Sequence, residues 1–224
     1  MAVNRLKLAI DGPAGAGKST IAKLVADALG YLYIDTGAMY RAVTCLAMKR
    51  NIDLKDEALV GAIAAHSNII LKPAEILGGN VHVFIDDEEV TKEIRTQHVT
   101  KLVPVVAALP LVRTHLVEKQ RQMAAAGGVV LDGRDIGTVV LPNAEVKIFL
   151  TATPEVRARR RMKDLVKAGE YPDFDTLLTD IKERDYADSN RAVAPLRPAE
   201  DAVIIYSDNM TIADLVSYIV RLCK

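Results

Sequence analysis

Cysteine is scarce in this 224-residue chain: only Cys45 and Cys223 occur, and neither stands in a metal or redox spacing. That rules out a Cys-x-x-Cys centre and fits a reducing cytosol. Histidine is equally sparse. His66, His82, His98 and His115 lie sixteen or seventeen residues apart, so no close pair exists and no zinc site is expected. A surplus of charge is missing too. Twenty-nine basic and 29 acidic side chains cancel, so nothing in the total points to nucleic acid or a membrane surface. The longest uncharged apolar run, residues 102–112, is too short to span a bilayer; broken by Pro104 and Pro110, it reads as packed helix ends. Arg5 and Lys7 precede a short strand rather than the long apolar region of a signal peptide, so a cytoplasmic location is expected. Internal repeats, low-complexity tracts and long linkers are absent.

What is present is concentrated near the start. Gly12, Pro13, Ala14, Gly15, Ala16, Gly17, Lys18 and Ser19 match G-x-x-x-x-G-K-[ST] at every fixed position, between an apolar run and an amphipathic segment. The glycines let consecutive amides turn inward onto phosphate oxygens, and the start of the following helix adds positive potential. Lys18 would reach the β- and γ-phosphates and Ser19 would ligate Mg²⁺.

Short β-rich runs alternate with helical patterns along the rest of the chain, which predicts a parallel sheet covered by helices on both faces. Its five strands are expected near 6–10, 31–34, 129–131, 146–150 and 203–206. Ile21, Leu24, Val25, Ala28 and Leu29 share one face of a helix from Thr20 that stops at Gly30. Thr153-Pro154-Glu155 reads as a cap and first turn of a helix to about Lys167, and Thr211 with Asp214 opens the last helix. Residues 66–92 break the alternation as a small antiparallel insert, with Gly78-Gly79-Asn80 between two strands and a further turn at Asp86-Asp87.

Seven of the fifteen arginines fall between Arg157 and Arg197. Guanidinium groups match phosphate oxygens in pairs, and a cationic lid also excludes water. For Arg157 and Arg159 a solvated helix face is an equal alternative, because four arginines within five positions must point in different directions. Arg184, Asp188 and Arg191 would share one helical face, two cations for a phosphate and an acid for sugar hydroxyls. Asp35-Thr36-Gly37-Ala38-Met39-Tyr40-Arg41 and Asp132-Gly133-Arg134-Asp135 follow strands, on the sheet edge where ligands bind. Asp132 has the position of an acid that orients Mg²⁺ or its waters.

These segments together carry a family resemblance. I-D-G-P-A-G-A-G-K-S-T at 10–20, D-T-G-A-M-Y-R at 35–41, K-E-I-R-T-Q at 92–97, L-D-G-R-D-I-G-T-V-V at 131–140, K-I-F-L at 147–150 and I-K-E-R-D…N-R-A-V-A-P-L at 181–196 resemble bacterial cytidylate kinases. These belong to the nucleoside monophosphate kinase group, and Lys92 stands where their pattern has glycine. The resemblance implies one kinase domain over 1–224, with the insert at 66–92 as part of a monophosphate-binding lobe and a mobile, arginine-rich lid at 164–190. It implies transfer of the γ-phosphoryl group of ATP to CMP or dCMP by a monomer, without nucleic-acid or membrane partners. Residues 12–20, ending at Thr20, would cradle ATP. Thr36, Tyr40, Arg41, Arg113, Arg134, Asp135, Arg184, Asp188 and Arg191 would surround the acceptor. Lys18, Arg134, Arg184 and Arg191 would neutralise charge in the transfer, and Mg²⁺ would be held by Ser19 and, through water, Asp132. The competing readings are a kinase of the same fold acting on UMP, AMP or an alcohol such as shikimate, and a nucleotide-dependent switch. The chain lacks the Asn-Lys-x-Asp guanine signature of many switches.

Overall fold

The computed structural model describes residues 5–76, 78–167 and 169–223. Five strands form one parallel sheet: β1 (Lys7–Asp11), β2 (Leu32–Asp35), β6 (Val129–Gly133), β7 (Val146–Thr151) and β8 (Val203–Tyr206), in the order β2-β6-β1-β7-β8. The expected strands are all there, shifted by a residue or two. Each face of the sheet has its own apolar cluster. Leu8, Ile10 and Val130 pack with Ile21 and Val25 of α1 (Lys18–Leu29) and with Leu215 and Ile219 of α8 (Ile212–Leu222). Ala9, Val129 and Leu131 point the other way, onto Val117 and Ala124 at α5 (Pro110–Met123) and onto a π-helical turn, Ile136–Val140. Side chains alternate along a strand, so buried strands need apolar residues at almost every position.

Helix ends obey their local chemistry. Gly30 closes α1 in the left-handed region, φ 65°. The Thr153 hydroxyl accepts from Val156 at the start of α6 (Pro154–Lys167), and Thr211 accepts from the Asp214 amide at the start of α8. Residues 102–112 do form helix ends, those of α4 (Gln97–Ala107) and α5, which meet at 101°. Among the described residues, no single helix is long and apolar enough to cross a membrane.

The insert has three antiparallel strands rather than two: β3 (Ile69–Lys72), β4 (His82–Ile85) and β5 (Glu88–Glu89). Asp86 and Asp87 both have positive φ, 49° and 67°, so the turn anticipated there is a two-residue hairpin. Ile69, Val83 and Ile85 join the main apolar cluster with α2 (Thr36–Lys49) and α3 (Glu57–His66), which roots the insert in the core.

Candidate active site

The phosphate loop links β1 to α1 at the carboxyl edge of the sheet. Gly12 sits so close to β7 that an added Cβ would lie 1.9 Å from the Leu150 carbonyl oxygen, so only glycine fits. Gly15 and Gly17 adopt φ 77° and 90°. The Lys18 ammonium group folds back to donate to the Pro13 carbonyl at 2.8 Å. Burial, with Arg134 adding to it, pushes its pKa down to about 7 against the pull of Asp132 and Asp11.

Asp132 lies at the end of β6 on the face that carries α1. Its carboxylate accepts from the Ser19 hydroxyl at 2.7 Å and from the Tyr33 hydroxyl at 2.8 Å, and its carbonyl accepts from Thr36 at 2.7 Å. Burial raises its pKa and nearby Asp35 adds to the rise, while Lys18 opposes it. Asp35 caps α2 by accepting from the Ala38 amide and pairs with Arg41 at 2.8 Å.

The opposite wall is built from α5, the segment after β6 and α7 (Phe174–Asn190). Asp135 is held between Arg113, in a buried ion pair, and Arg191, at 3.4 Å. The Arg113 guanidinium also lies over the Tyr40 ring, 5.8 Å from its centre. Arg134 donates to Asp188 at 2.9 Å. Burial pulls the Asp188 pKa upward, but Arg134 and Arg184 outweigh it and hold the carboxylate ionised. The Arg184 Nε, like that of Arg41, is buried with no hydrogen-bond partner among the described residues. Burial and the facing Arg134 push the Arg184 pKa down to about 10.

Between these walls runs a cleft of about 750 Å³. Of the residues singled out from the sequence, Ala14 through Thr20, Thr36, Tyr40, Arg41, Arg113, Asp132, Arg134, Asp135, Arg184, Asp188 and Arg191 all line it. Gly12 and Pro13, at the start of the loop, do not line the cleft. One local expectation fails: Arg184, Asp188 and Arg191 do not share a helical face. α7 ends at Asn190, and Arg191 continues in extended backbone, φ −64° and ψ 143°. Arg191 still reaches Asp135 because its Nε donates to the Ala194 carbonyl, while the Leu196 amide donates to the Asp188 carbonyl.

Arg157 is not on a solvated face. It is 3% exposed and donates to the carbonyls of Ala152 and Ala14 and, in bidentate fashion, to Asp185 of α7. Arg160 likewise grips the Ala16 carbonyl and Ser207. Arg159, by contrast, is exposed, and Arg161 lines the cleft. Two polar residues escaped the sequence reading. Tyr33 bonds Asp132, and Asp11 is a buried carboxylate behind the phosphate loop, accepting from the Ile136 and Gly137 amides.

The profile of the family described as cytidylate kinase matches residues 8–224. A cytidylate kinase of Pelotomaculum thermopropionicum is 54% identical over 214 residues, 95% of this chain and 93% of that protein. One from Lactiplantibacillus plantarum is 51% identical over 222 residues, 99% and 96%. A solved shikimate kinase from Bacteroides thetaiotaomicron superposes with a TM-score of 0.51 at 14% identity, covering 97% of this chain and 98% of that one, a likeness of fold alone. Matched over nearly its whole length at about half identity, the chain belongs to the cytidylate kinase family.

Proposed function

We infer that the protein transfers the γ-phosphoryl group of ATP to CMP or dCMP, giving ADP and the nucleoside diphosphate. The observation that carries this reading, beside family membership, is a single cleft with a phosphate loop on one wall and a cluster of arginines on the other. One wall suits a triphosphate tail; the other suits a second anion. The acceptor phosphate is already an anion at neutral pH, so no general base is needed. Catalysis is alignment and charge neutralisation.

In this reading the amides of residues 12–20 hold the donor's phosphates, and Lys18 leaves the Pro13 carbonyl to bond the transferring group. Arg134, Arg184 and Arg191 gather the acceptor phosphate and the charge that spreads during transfer. Thr36, Tyr40, Arg41, Arg113 and Asp135 border the acceptor's base and phosphate, with Asp188 near its ribose. The Ser19 hydroxyl and the Asp132 carboxylate, 2.7 Å apart at the cleft, are a hard oxygen donor set that fits Mg²⁺. Mg²⁺, held by Ser19 and through water by Asp132, would supply neutralisation of the donor's terminal phosphates. Residues 66–92 serve as part of the acceptor lobe, 164–190 as the lid, and the protein acts as a monomer. A sedimentation mass of two chains would overturn that last point. The activity itself is tested by coupled ADP release with CMP, dCMP, UMP, AMP, GMP and shikimate. CMP or dCMP is expected to be the best acceptor; a higher kcat/KM for any of the others overturns the reading.

A further inference from the structure

Strand β1 sends Leu8 and Ile10 to the α1 side of the sheet and Ala9 to the α5 side. The same alternation puts its last residue, Asp11, on the Ala9 side, where the Ile136–Val140 turn packs against apolar residues. A carboxylate is out of place there. It is 4% exposed, and burial pushes its pKa up to about 6 even though two backbone amides pull the other way. Asp135 bears on it unfavourably and Lys18 favourably.

Both oxygens are engaged. The Ile136 amide donates to Oδ1 and the Gly137 amide to Oδ2, each at 2.7 Å. These amides open the π-helical turn, where backbone donors have no partner inside the turn itself. A Cβ added at Gly137 would lie 3.4 Å from Oδ2, an ordinary contact, and 3.2 Å from the flexible Lys147 side chain. A carboxylate is the side chain that can accept from two adjacent amides at once.

The segments joined by this clamp are the two halves of the cleft. Gly12, the next residue after Asp11, begins the phosphate loop. Arg134 and Asp135 immediately precede Ile136, and they carry the links to Asp188, Arg113 and Arg191. We propose that Asp11 is a positioning residue for phosphoryl transfer, its carboxylate clamping the Ile136 and Gly137 amides so that Arg134 and Asp135 stand at a fixed distance from the phosphate loop. The proposal rests on the kinase reading above. Misplacing such groups by an ångström is enough to slow transfer severely.

Asp11→Asn tests it, because asparagine accepts at one oxygen and turns N–H groups toward the second amide. The kcat is expected to fall at least tenfold and the KM for CMP to rise, with the KM for ATP held within about twofold, since the phosphate loop keeps its own bonds. A purely structural role would lower the melting temperature and the active fraction while leaving both KM values of the surviving enzyme unchanged. That outcome, unchanged kinetics, or a rise confined to the ATP KM overturns the proposal. If the variant does not accumulate, hydrogen exchange on the unsubstituted protein decides. The Ile136 and Gly137 amides are expected to exchange only with global unfolding, and exchange by local opening overturns the clamp. A failure of the unsubstituted protein to phosphorylate CMP would strike the activity and leave the exchange result standing.

Discussion

Lys18 sits in the phosphate loop with its charge half removed: burial and Arg134 bring its pKa to about 7, far below the ordinary lysine value. A polyphosphate arriving at the loop restores the charged form. At pH 8 the free side chain is mostly neutral, so binding of a non-hydrolysable ATP analogue is expected to take up a proton, and at pH 6 to take up almost none. Calorimetric titration in buffers of different ionisation enthalpy reads this directly. A binding enthalpy independent of buffer at pH 8 overturns it. The sign for stability agrees: the folded pKa lies below the unfolded one, so the nucleotide-free protein gains stability as pH rises from about 7 toward the unfolded value. Lys18 was legible because it closes a contiguous pattern, residues 12–19. Asp11 and Tyr33 were not, because their partners lie 125 and 99 residues away, and nothing local distinguishes a strand-end carboxylate facing solvent from one facing two amides.

Helices α6 and α7 show what a sequence pattern leaves open about an arginine cluster. Residue type and spacing located the cluster, but the direction of each guanidinium depends on how the helix is rolled against the sheet. Arg157 rolled inward. It ties the phosphate loop, the end of β7 and α7 together through Ala14, Ala152 and Asp185. Removing it leaves two carbonyls and a largely buried carboxylate without their donor. Arg157→Ala is expected to lower stability by about 3 kcal/mol or more in urea unfolding, and Arg157→Lys to recover little of it, since an ammonium group cannot make the bidentate fork. A loss below 1 kcal/mol would return Arg157 to the class of surface charges. The α7 terminus teaches the complementary lesson. Spacing suggested one face for residues 184, 188 and 191, yet Pro195 and Ala194, with φ 52°, mark a chain that has already left the helix, and tertiary bonds bring Arg191 back to Asp135.

At the scale of the whole molecule, the segment proposed as the lid is rooted firmly and tethered loosely. Its root carries the Arg134–Asp188 and Arg157–Asp185 pairs, both largely buried. Its far side touches α4 through a Gln97–Glu170 hydrogen bond and an exposed Lys101–Asp180 pair at 3.6 Å. Exposed pairs of that kind contribute about 0–1 kcal/mol, so little resists movement of the tip. Meanwhile Arg184 and Arg134 repel one another on the same wall of the cleft, and the Arg184 Nε has no partner among the described residues. An acceptor phosphate between these cations relieves the repulsion, and a donor phosphate on Lys18 completes the neutralisation. Closure should therefore be fullest with both nucleotides. With dyes at Glu75→Cys on the insert and Tyr171→Cys on the lid, Cys223 replaced and Cys45 buried, transfer efficiency is expected to rise most with CMP and a non-hydrolysable ATP analogue together. Either nucleotide alone should give a smaller rise, because it leaves part of the like charge unscreened. An efficiency that does not change with any ligand would mean a rigid cleft, in which the arginines are already in their working positions and product leaves without the lid moving.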